Sequence, residues 1–173
     1  MSDTNSTGHR MLIIRAIGEP APQGSKTRNK YGATYEVSKK VTPWRNAVSS
    51  AADAAVSSRA DNIGLRWQRG ETAPVRMLIL FAFRRPKSHY RTGRNAHLLR
   101  DDAPKMHTNT PDLSKLIRST EDALVDAAIV SDDKIICRLE VMKVWAESDQ
   151  NTGATIVLST NTSQDLADLL HLV

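Results

Sequence analysis

The apolar segment PVRMLILFAF, residues 74–83, constrains the fold of this chain more than any other feature of the sequence. It gives the strongest strand prediction in the chain. A membrane-spanning helix needs roughly 20 apolar residues, and no apolar run in the 173 residues approaches that length. We therefore expect an ordinary soluble domain, with no membrane contact and with 74–83 as a strand of its core.

The segments around this strand predict an α+β fold, a small mixed β-sheet with packed helices. Further strands are predicted at 11–17, 134–146 and 154–160, and helices at 41–60, 111–128 and 164–172. Residues 1–10 are expected to be a disordered tail, and 11–173 a single domain. A basic loop at 21–40 is expected to contain a short hairpin around Tyr31 to Tyr35.

Both long helices carry a predicted start signal. Thr42, followed by Pro43, is the expected N-cap of the first, and Asp112 is the expected N-cap of the helix at 111–128. Residues 84–110 lack periodicity and are long for a connection inside a compact domain, which favours a functional loop.

Aromatic and sulfur-containing residues give no cofactor signal. The three tryptophans, Trp44, Trp67 and Trp145, are predicted to be packing residues, and Cys137 is predicted to be a core residue of its strand. The three histidines of the long loop fit no zinc spacing. A single cysteine excludes an internal disulfide framework and suits a reducing cytoplasm.

Charge is distributed unevenly along the chain. Residues 1–100 carry 18 Lys and Arg against 6 Asp and Glu, whereas residues 101–173 carry 6 against 13. One interpretation is that the two halves interleave and their charges mix on the surface. The other is a polyanion-binding surface around an acidic pocket that needs a cation.

Basic residues interspersed with tyrosines are typical of loops that contact a nucleic-acid backbone and stack on unpaired bases. A solvated basic loop is the alternative for any single residue. No segment resembles a sequence-reading helix, so we expect recognition of DNA shape and charge. The candidate DNA-binding residues are Lys26, Arg28, Arg84, Arg85, Lys87, Arg91, Arg94 and Lys115.

The segment TPDLSKLIRSTEDALVDAAIVSDDKI, residues 110–135, concentrates the candidate catalytic residues. Asp112 opens the helix, and Asp132 and Asp133 come immediately before the next strand. Carboxylates in these positions can form an oxygen-rich Mg²⁺ site, which phosphodiester hydrolysis requires. They are also ordinary helix-cap and turn residues.

This segment resembles the signature of the RusA family of Holliday-junction resolvases, in which P-D-x-D-x-L-x-K/R precedes D-A-L and a D-D pair. APQGSK, VTPWRNAV, the segment F-x-R-P-K-S-H-Y-R-T-G and the Lys143 strand resemble members from actinobacterial genomes and their phages. The resemblance covers about residues 11–160. It implies a small homodimeric, Mg²⁺-dependent (Mn²⁺ is the alternative ion) endonuclease that cuts branched DNA in the cytoplasm of a bacterial cell or phage-infected host.

Carried over by position, the resemblance assigns catalytic roles to Asp112, Asp133 and Arg118, and metal binding to Asp112, Asp132 and Asp133. Arg118 matches a residue that is usually Lys. Because Arg stays protonated and offers a planar fork, it fits phosphate positioning or charge stabilisation better than proton transfer.

The sequence departs from the family pattern at Ser114, where the family has its second acid. Either another carboxylate replaces that acid, with Asp132 the better candidate, or the metal binds more weakly. Asp122 is about 15 Å along the helix from Asp112, too far to share one ion.

The distance between Asp112 and Asp133 along the chain leaves two arrangements open. The helix rises roughly 22 Å from Asp112 to Ala127, and the six steps on to Asp133 cover at most about 20–22 Å. The two acids can meet within one chain if the connection runs straight back, or they can meet across a dimer two-fold axis.

Two rival functions remain besides a structure-selective endonuclease. The first is a non-catalytic or weakly active protein that binds branched DNA, which Ser114 makes credible. The second is a structural or assembly protein with a basic surface. Mg²⁺-dependent cleavage of a four-way junction separates the enzyme from both.

Overall fold

The computed structural model describes residues 10–24, 26–28, 34–36, 39–58, 65–68 and 70–160. The secondary-structure elements are β1 (Met11–Ile17), β2 (Lys26–Arg28), β3 (Thr34–Glu36), α1 (Val41–Ser57), β4 (Val75–Phe83), α2 (Leu113–Asp126), β5 (Ile136–Trp145) and β6 (Gly153–Ser159). The predicted α+β class is confirmed. Residues 1–9 of the predicted tail and the predicted C-terminal helix 164–172 lie outside the described residues.

The main sheet is mixed and has the strand order β1-β6-β4-β5. β6 is antiparallel to both β1 and β4, whereas β5 runs parallel to β4 with Phe83 level with Trp145. A parallel neighbour requires a long connection, and residues 84–135 with α2 supply it. β2 and β3 pair separately as an antiparallel ribbon, which confirms the predicted hairpin.

Both helices pack on one face of this sheet and enclose the core. The core residues are buried on strands and helices alike: Leu12, Ile14, Trp44, Val48, Met77, Ile79, Phe81, Leu116, Leu124, Ile156 and Leu158. Trp44 also donates a hydrogen bond from Nε1 to Thr120 Oγ1 at 3.3 Å, which joins α1 to α2. Trp44, Trp67 and Trp145 are all buried, as predicted.

The start of α1 differs from the prediction. The helix begins at Val41, and Lys40 occupies the N-cap position without a side-chain capping bond. The assignment of Thr42 as N-cap is therefore wrong. Val41 is 2% exposed, so burial of this apolar side chain accompanies a helix start two residues earlier than capping by Thr42 would give.

The segment 84–110 is structured despite its lack of periodicity. Two short 3₁₀ turns, Lys87–His89 and Gly93–Asn95, interrupt it. Backbone hydrogen bonds from Arg91 to Leu98 (2.9 Å) and from Arg100 to His89 (3.0 Å) close it into a hairpin-like loop. Exposed residues dominate the loop, as expected of a binding segment.

The prediction of Cys137 as a core residue is wrong, since its side chain is exposed. β5 is an edge strand, and Cys137 and Leu139 in its first half are exposed. None of the helices among the described residues is long and apolar enough to cross a membrane.

Candidate active site

Asp112 occupies the N-cap position of α2, as predicted, but its carboxylate makes no capping hydrogen bond. The side chain is 59% exposed and lies 3.2 Å from Lys115 Nζ. A carboxylate that neither caps its helix nor is buried keeps most of its oxygen lone pairs available for a cation.

Lys143 fixes the chain that leads into Asp112. Its ammonium group donates to the carbonyl oxygens of Asn109 (2.8 Å) and Pro111 (2.7 Å). These bonds join the C-terminal half of β5 to the residues immediately before α2, so the position of Asp112 depends on β5.

A cleft of about 500 Å³ opens beside Asp112. Its charged lining residues are Glu19, Lys40, Arg84, Asp112 and Lys115. Glu19 is a carboxylate that the sequence analysis did not single out. It lies 3.4 Å from Lys40 Nζ, and both side chains are exposed. A lining that combines two carboxylates with three cationic side chains suits a cation and a polyanion together.

His107 forms part of the wall of this cleft between two aromatic rings. Its ring centroid lies 4.2 Å from that of Phe83 and 4.2 Å from that of Trp145. Burial and the nearby Lys143 charge lower the pKa of His107 below its ordinary value. The imidazole is therefore neutral near pH 7 and serves as packing for the cleft.

Asp132 has a local structural partner. Its carboxylate accepts a hydrogen bond from the backbone N–H of Lys134 (3.1 Å) and lies 2.9 Å from Lys134 Nζ. The hydrogen bond from the Lys134 ammonium group is the main cause that lowers the pKa of Asp132. Asp132 thus caps the 3₁₀ turn Asp133–Ile135, whereas the side chain of Asp133 is exposed.

Glu121 is a further acid that the sequence analysis missed. Burial raises its pKa, and the charges of Asp133 and Asp122 raise it further against the lowering effect of Arg118. Ser114, Arg118 and Glu121 follow one another at spacings of four and three residues, which places them on one face of α2. That spacing is the signal that could have identified Glu121.

Asp122 has a structural role in the contact between α1 and α2. Its carboxylate accepts hydrogen bonds from Arg45 of α1 and from Gln23 Nε2, the latter at 2.9 Å. These contacts hold α1 and the segment before the hairpin against α2. Because both partners bind its carboxylate, Asp122 is not available to replace the acid that Ser114 lacks, as its distance from Asp112 along the helix also indicates.

The structure does not bring the predicted metal ligands together within one chain. Asp112 lies at the end of the sheet where Lys143 and Trp145 complete β5. Asp133 precedes β5 and lies near Glu121, about 13 Å further along α2. Accordingly, residues 10–160, as far as they are described, contain no group of three or more His, Cys, Asp or Glu side chains that could hold a metal ion.

The predicted DNA-binding residues fall into different environments. Arg84 lines the cleft and is 68% exposed, with Asp149 at 3.4 Å. Lys87 and Arg94 are exposed. Arg91 is tied to Asp101 at 2.6 Å. Of Lys26 and Arg28 only the strand β2 is described.

Arg85 instead holds the long loop in place. Its guanidinium donates to the carbonyl oxygens of Ala146 (3.1 Å) and Pro104 (2.9 Å). These bonds fasten residue 104 to the end of β5, so Arg85 has less freedom to reach a phosphate than Arg84 has.

An α+β domain with an exposed carboxylate in a cleft that Lys and Arg side chains also line is compatible with an enzyme that cleaves nucleic-acid phosphodiesters. The model of the family described as Endodeoxyribonuclease RusA matches residues 18–157. The chain belongs to this family and is an endodeoxyribonuclease of the Holliday-junction-resolving type. Resolvases of the family generally depend on a divalent metal ion. A comparison with curated proteins finds no significant match.

Proposed function

We propose that this protein resolves four-way DNA junctions in recombination or repair, as a Mg²⁺-dependent homodimer acting in the cytoplasm. The observation that carries the proposal is the exposed carboxylate of Asp112, which makes no capping hydrogen bond and lies in a cleft that Lys40, Arg84 and Lys115 also line. A four-way junction presents two symmetric cleavage sites, so a two-fold dimer matches the substrate.

In this proposal the acids bind the metal ion, and Arg118 stabilises charge on the phosphate. Asp112 and Asp133 supply the hard oxygen donors that Mg²⁺ prefers, and Mn²⁺ accepts the same donors. The cation, when bound, supplies Lewis-acid polarisation of the phosphate and a lowered pKa for the attacking water. Arg118 is exposed on α2 and stays protonated, so it stabilises charge that develops on the phosphate.

The donor set of a single chain is incomplete, and this supports a site shared between two subunits. Asp112 and Asp133 lie toward opposite ends of β5, which supports the second of the two arrangements that the sequence allows, the one across a dimer two-fold axis. In the shared site, Asp112 of one subunit and the partner subunit's Asp133 hold the cation. Asp132 stays with its 3₁₀ turn and contributes negative charge nearby.

The decisive assay uses the purified protein and a synthetic four-way junction with strands labelled in turn. We expect paired, symmetric nicks with Mg²⁺ and none with EDTA. Salt-dependent binding of the junction without nicks in Mg²⁺ or Mn²⁺ would overturn the proposal and favour the non-catalytic DNA-binding rival. The reason for considering that rival is Ser114, which occupies the position where the family has its second acid.

Ser114 itself can be tested by restoring the acid. Ser114 is exposed, two residues after Asp112 in the first turn of α2. We expect Ser114→Asp to tighten Mg²⁺ binding by on the order of tenfold, because a carboxylate is a charged oxygen donor and a hydroxyl supplies only a dipole. Calorimetric Mg²⁺ titration and cleavage rates at low Mg²⁺ measure the effect.

The matched control for this substitution is Ser58→Asp, which adds the same charge at an exposed serine that ends α1. It should leave both curves unchanged. If the Ser114→Asp curves overlay those of the original protein, position 114 does not contact the metal. If the added acid weakens binding instead, another carboxylate already fills the position.

A further inference from the structure

The main sheet has a second face, opposite α1 and α2, whose side chains are mostly apolar. Residues of a strand alternate between the two faces, and Met77, Ile79 and Phe81 of β4 point to the helices. A sheet face that meets water usually carries polar side chains, so a mostly apolar face predicts a covering layer. The side chains on the second face are Met11, Ile13, Arg15 and Ile17 of β1, Arg76, Leu78, Leu80 and Ala82 of β4, Arg138, Glu140, Met142 and Val144 of β5, and Thr155, Val157 and Ser159 of β6.

One end of this second face is buried, although the helices pack on the other face. At the end where β6 finishes, Leu78 is 3% exposed and Val157 is 2% exposed, and these two form a cluster separate from the main core. Arg76 beside them is also buried, with its guanidinium 2.6 Å from Glu140. The described residues provide no helix for this end of the face, because α1 and α2 both pack against the main core.

Burial decreases along the second face toward its other end. Leu80 and Ala82 are half-buried there, Arg15 is exposed, and Ile17 is 66% exposed. Together with Leu99, these residues line an open groove of about 950 Å³. The gradient indicates a short covering segment that enters at the end of the sheet where β6 finishes.

Two segments outside the described residues adjoin this end of the sheet. Arg10 and Thr160 are paired there, since the Thr160 N–H donates to the Arg10 carbonyl and the Arg10 N–H donates to Thr160 Oγ1, both at 3.0 Å. Residues 1–9 precede Arg10, and residues 161–173 follow Thr160. The first segment, MSDTNSTGH, has Met1 as its one large apolar side chain, whereas the second, NTSQDLADLLHLV, contains four leucines and a valine. The apolar face therefore matches the second segment.

The helix predicted from the sequence at 164–172 has the size and the apolar stripe that this end of the face requires. Leu166, Leu169 and Leu170 follow the spacing that brings side chains to one side of a helix. Nine helical residues measure about 13.5 Å, and the four strands of the sheet span about 14 Å. A helix is also about 10 Å wide, so one that crosses the strands covers about three residues of each and leaves the groove open.

The charges of the segment and of the face are opposite in sign. The described side chains of the second face include three arginines and one acid, Glu140. Residues 161–173 contain two acids, Asp165 and Asp168, and no Lys or Arg. Opposite charges attract more strongly beside a buried surface than in water, so these acids favour docking over a face with an excess of arginine.

We propose that residues 161–173 dock as a helix on the buried end of the second face and cross its strands. The main sheet then lies between α1 and α2 on one face and this third helix on the other. The match to the family model ends at residue 157, so the docked segment is an addition to the matched region. The proposal goes beyond the proposed function, because it concerns the covering of the sheet and not the cleavage of DNA.

Thiol labelling at position 157 tests this cover in the full-length chain. In a Cys137→Ser background, which removes the exposed native thiol, Val157→Cys should react slowly with a water-soluble maleimide. Leu169→Asp should raise this rate by at least about tenfold, because an unpaired charge in an apolar contact is unfavourable and undocks the segment. His171→Asp is the matched control, since it adds the same charge outside the apolar stripe, and it should leave the rate unchanged.

Labelling at position 156 separates undocking of the segment from unfolding of the domain. Ile156 adjoins Val157 on β6 but points into the core between the sheet and the helices. Ile156→Cys should therefore stay slow to react when Leu169→Asp is introduced. If that substitution unfolds the domain and both positions react, Leu169→Ala replaces it, since it removes packing without adding charge. Leu169→Ala should then give a smaller increase that is confined to position 157.

The other possible covers give different results in the same assay. Deletion of residues 1–9 should leave the labelling of Val157→Cys slow, and faster labelling would assign the cover to that segment. Labelling that becomes faster on dilution would assign the cover to a second copy of the chain. Either of these results, or an unchanged rate at position 157 with both Leu169 substitutions, overturns the proposal.

Discussion

Asp112→Asn and Asp133→Asn are each expected to abolish junction cleavage, and a mixture of the two inactive proteins is expected to cut again. Each substitution keeps the shape of the side chain and removes one charged metal ligand. Because metal-assisted stabilisation of the phosphate supplies several kcal/mol, we expect a loss of at least about a hundredfold in rate for each variant. Junction binding should be unchanged or tighter, since a repulsion from DNA phosphate is removed.

The mixture regains activity only if the two acids of one site come from different subunits. In a mixed dimer, the chain with Asp133→Asn supplies an intact Asp112, and its partner with Asp112→Asn supplies an intact Asp133. One of the two sites is then complete. Random exchange makes about half of the dimers mixed, so about a quarter of all sites become active. Single nicks, rather than paired cuts, are expected.

The control for this mixture is Asp112→Asn combined with a protein that carries both substitutions, which contains no complete site in any pairing. It should stay inactive. Failure of the first mixture to nick, when subunit exchange has been demonstrated with tagged chains, would place both acids in one subunit. Full activity in either single variant would remove that residue from the site.

Removal of three exposed charges on the long loop is expected to have the second largest effect. The variant with Arg84→Ala, Lys87→Ala and Arg94→Ala should bind every DNA form more weakly. Its log–log salt slope should fall by about three, because each lost phosphate contact reduces the slope by about one. Charge-assisted contacts stabilise by about 1.5–3 kcal/mol each, so affinity at low salt should fall by at least about tenfold per residue.

Fluorescence anisotropy with junction and duplex DNA over a range of salt concentrations measures both quantities. Arg85 is left unchanged in this variant because its guanidinium holds the carbonyl groups of Ala146 and Pro104, and its loss would disturb the loop. Arg15→Ala, an exposed residue on β1, is the control and should leave the slope unchanged. A triple variant with the original slope would show that these three side chains do not contact DNA phosphates.

The local elements of this fold were predictable because each has a strong period or composition of its own. The apolar run of β4 and the helical spacing of Leu116, Ala123 and Leu124 need no tertiary information. The same holds for the position of Asp112 at the start of α2. Whether the Asp112 carboxylate is available to a cation was less predictable. An N-cap carboxylate can instead accept a hydrogen bond from a backbone N–H of its helix, and its conformation decides between the two.

The fine placement of individual side chains was less predictable than the elements that carry them. Cys137 has the sequence context of a core strand, yet it is exposed because β5 lies at the sheet edge. Arg85 belongs to a basic cluster by sequence, yet it binds backbone carbonyls, while its neighbour Arg84 lines the cleft. The partial burial of Arg85 beside the exposed Arg84 follows from how the loop folds back, and no local pattern predicts it.

The sequence by itself determined the family, the main strands and helices and the candidate acids Asp112, Asp132 and Asp133, because these depend on residue type and spacing along the chain. Only the tertiary structure decided that Asp112 and Asp133 lie at opposite ends of β5. The reason is that α2 runs from the Lys143 end of β5 toward the end where Asp133 lies, so the helix separates the two acids. Strand order, which no local pattern encodes, likewise placed β5 at an edge of the sheet, and this leaves Cys137 exposed.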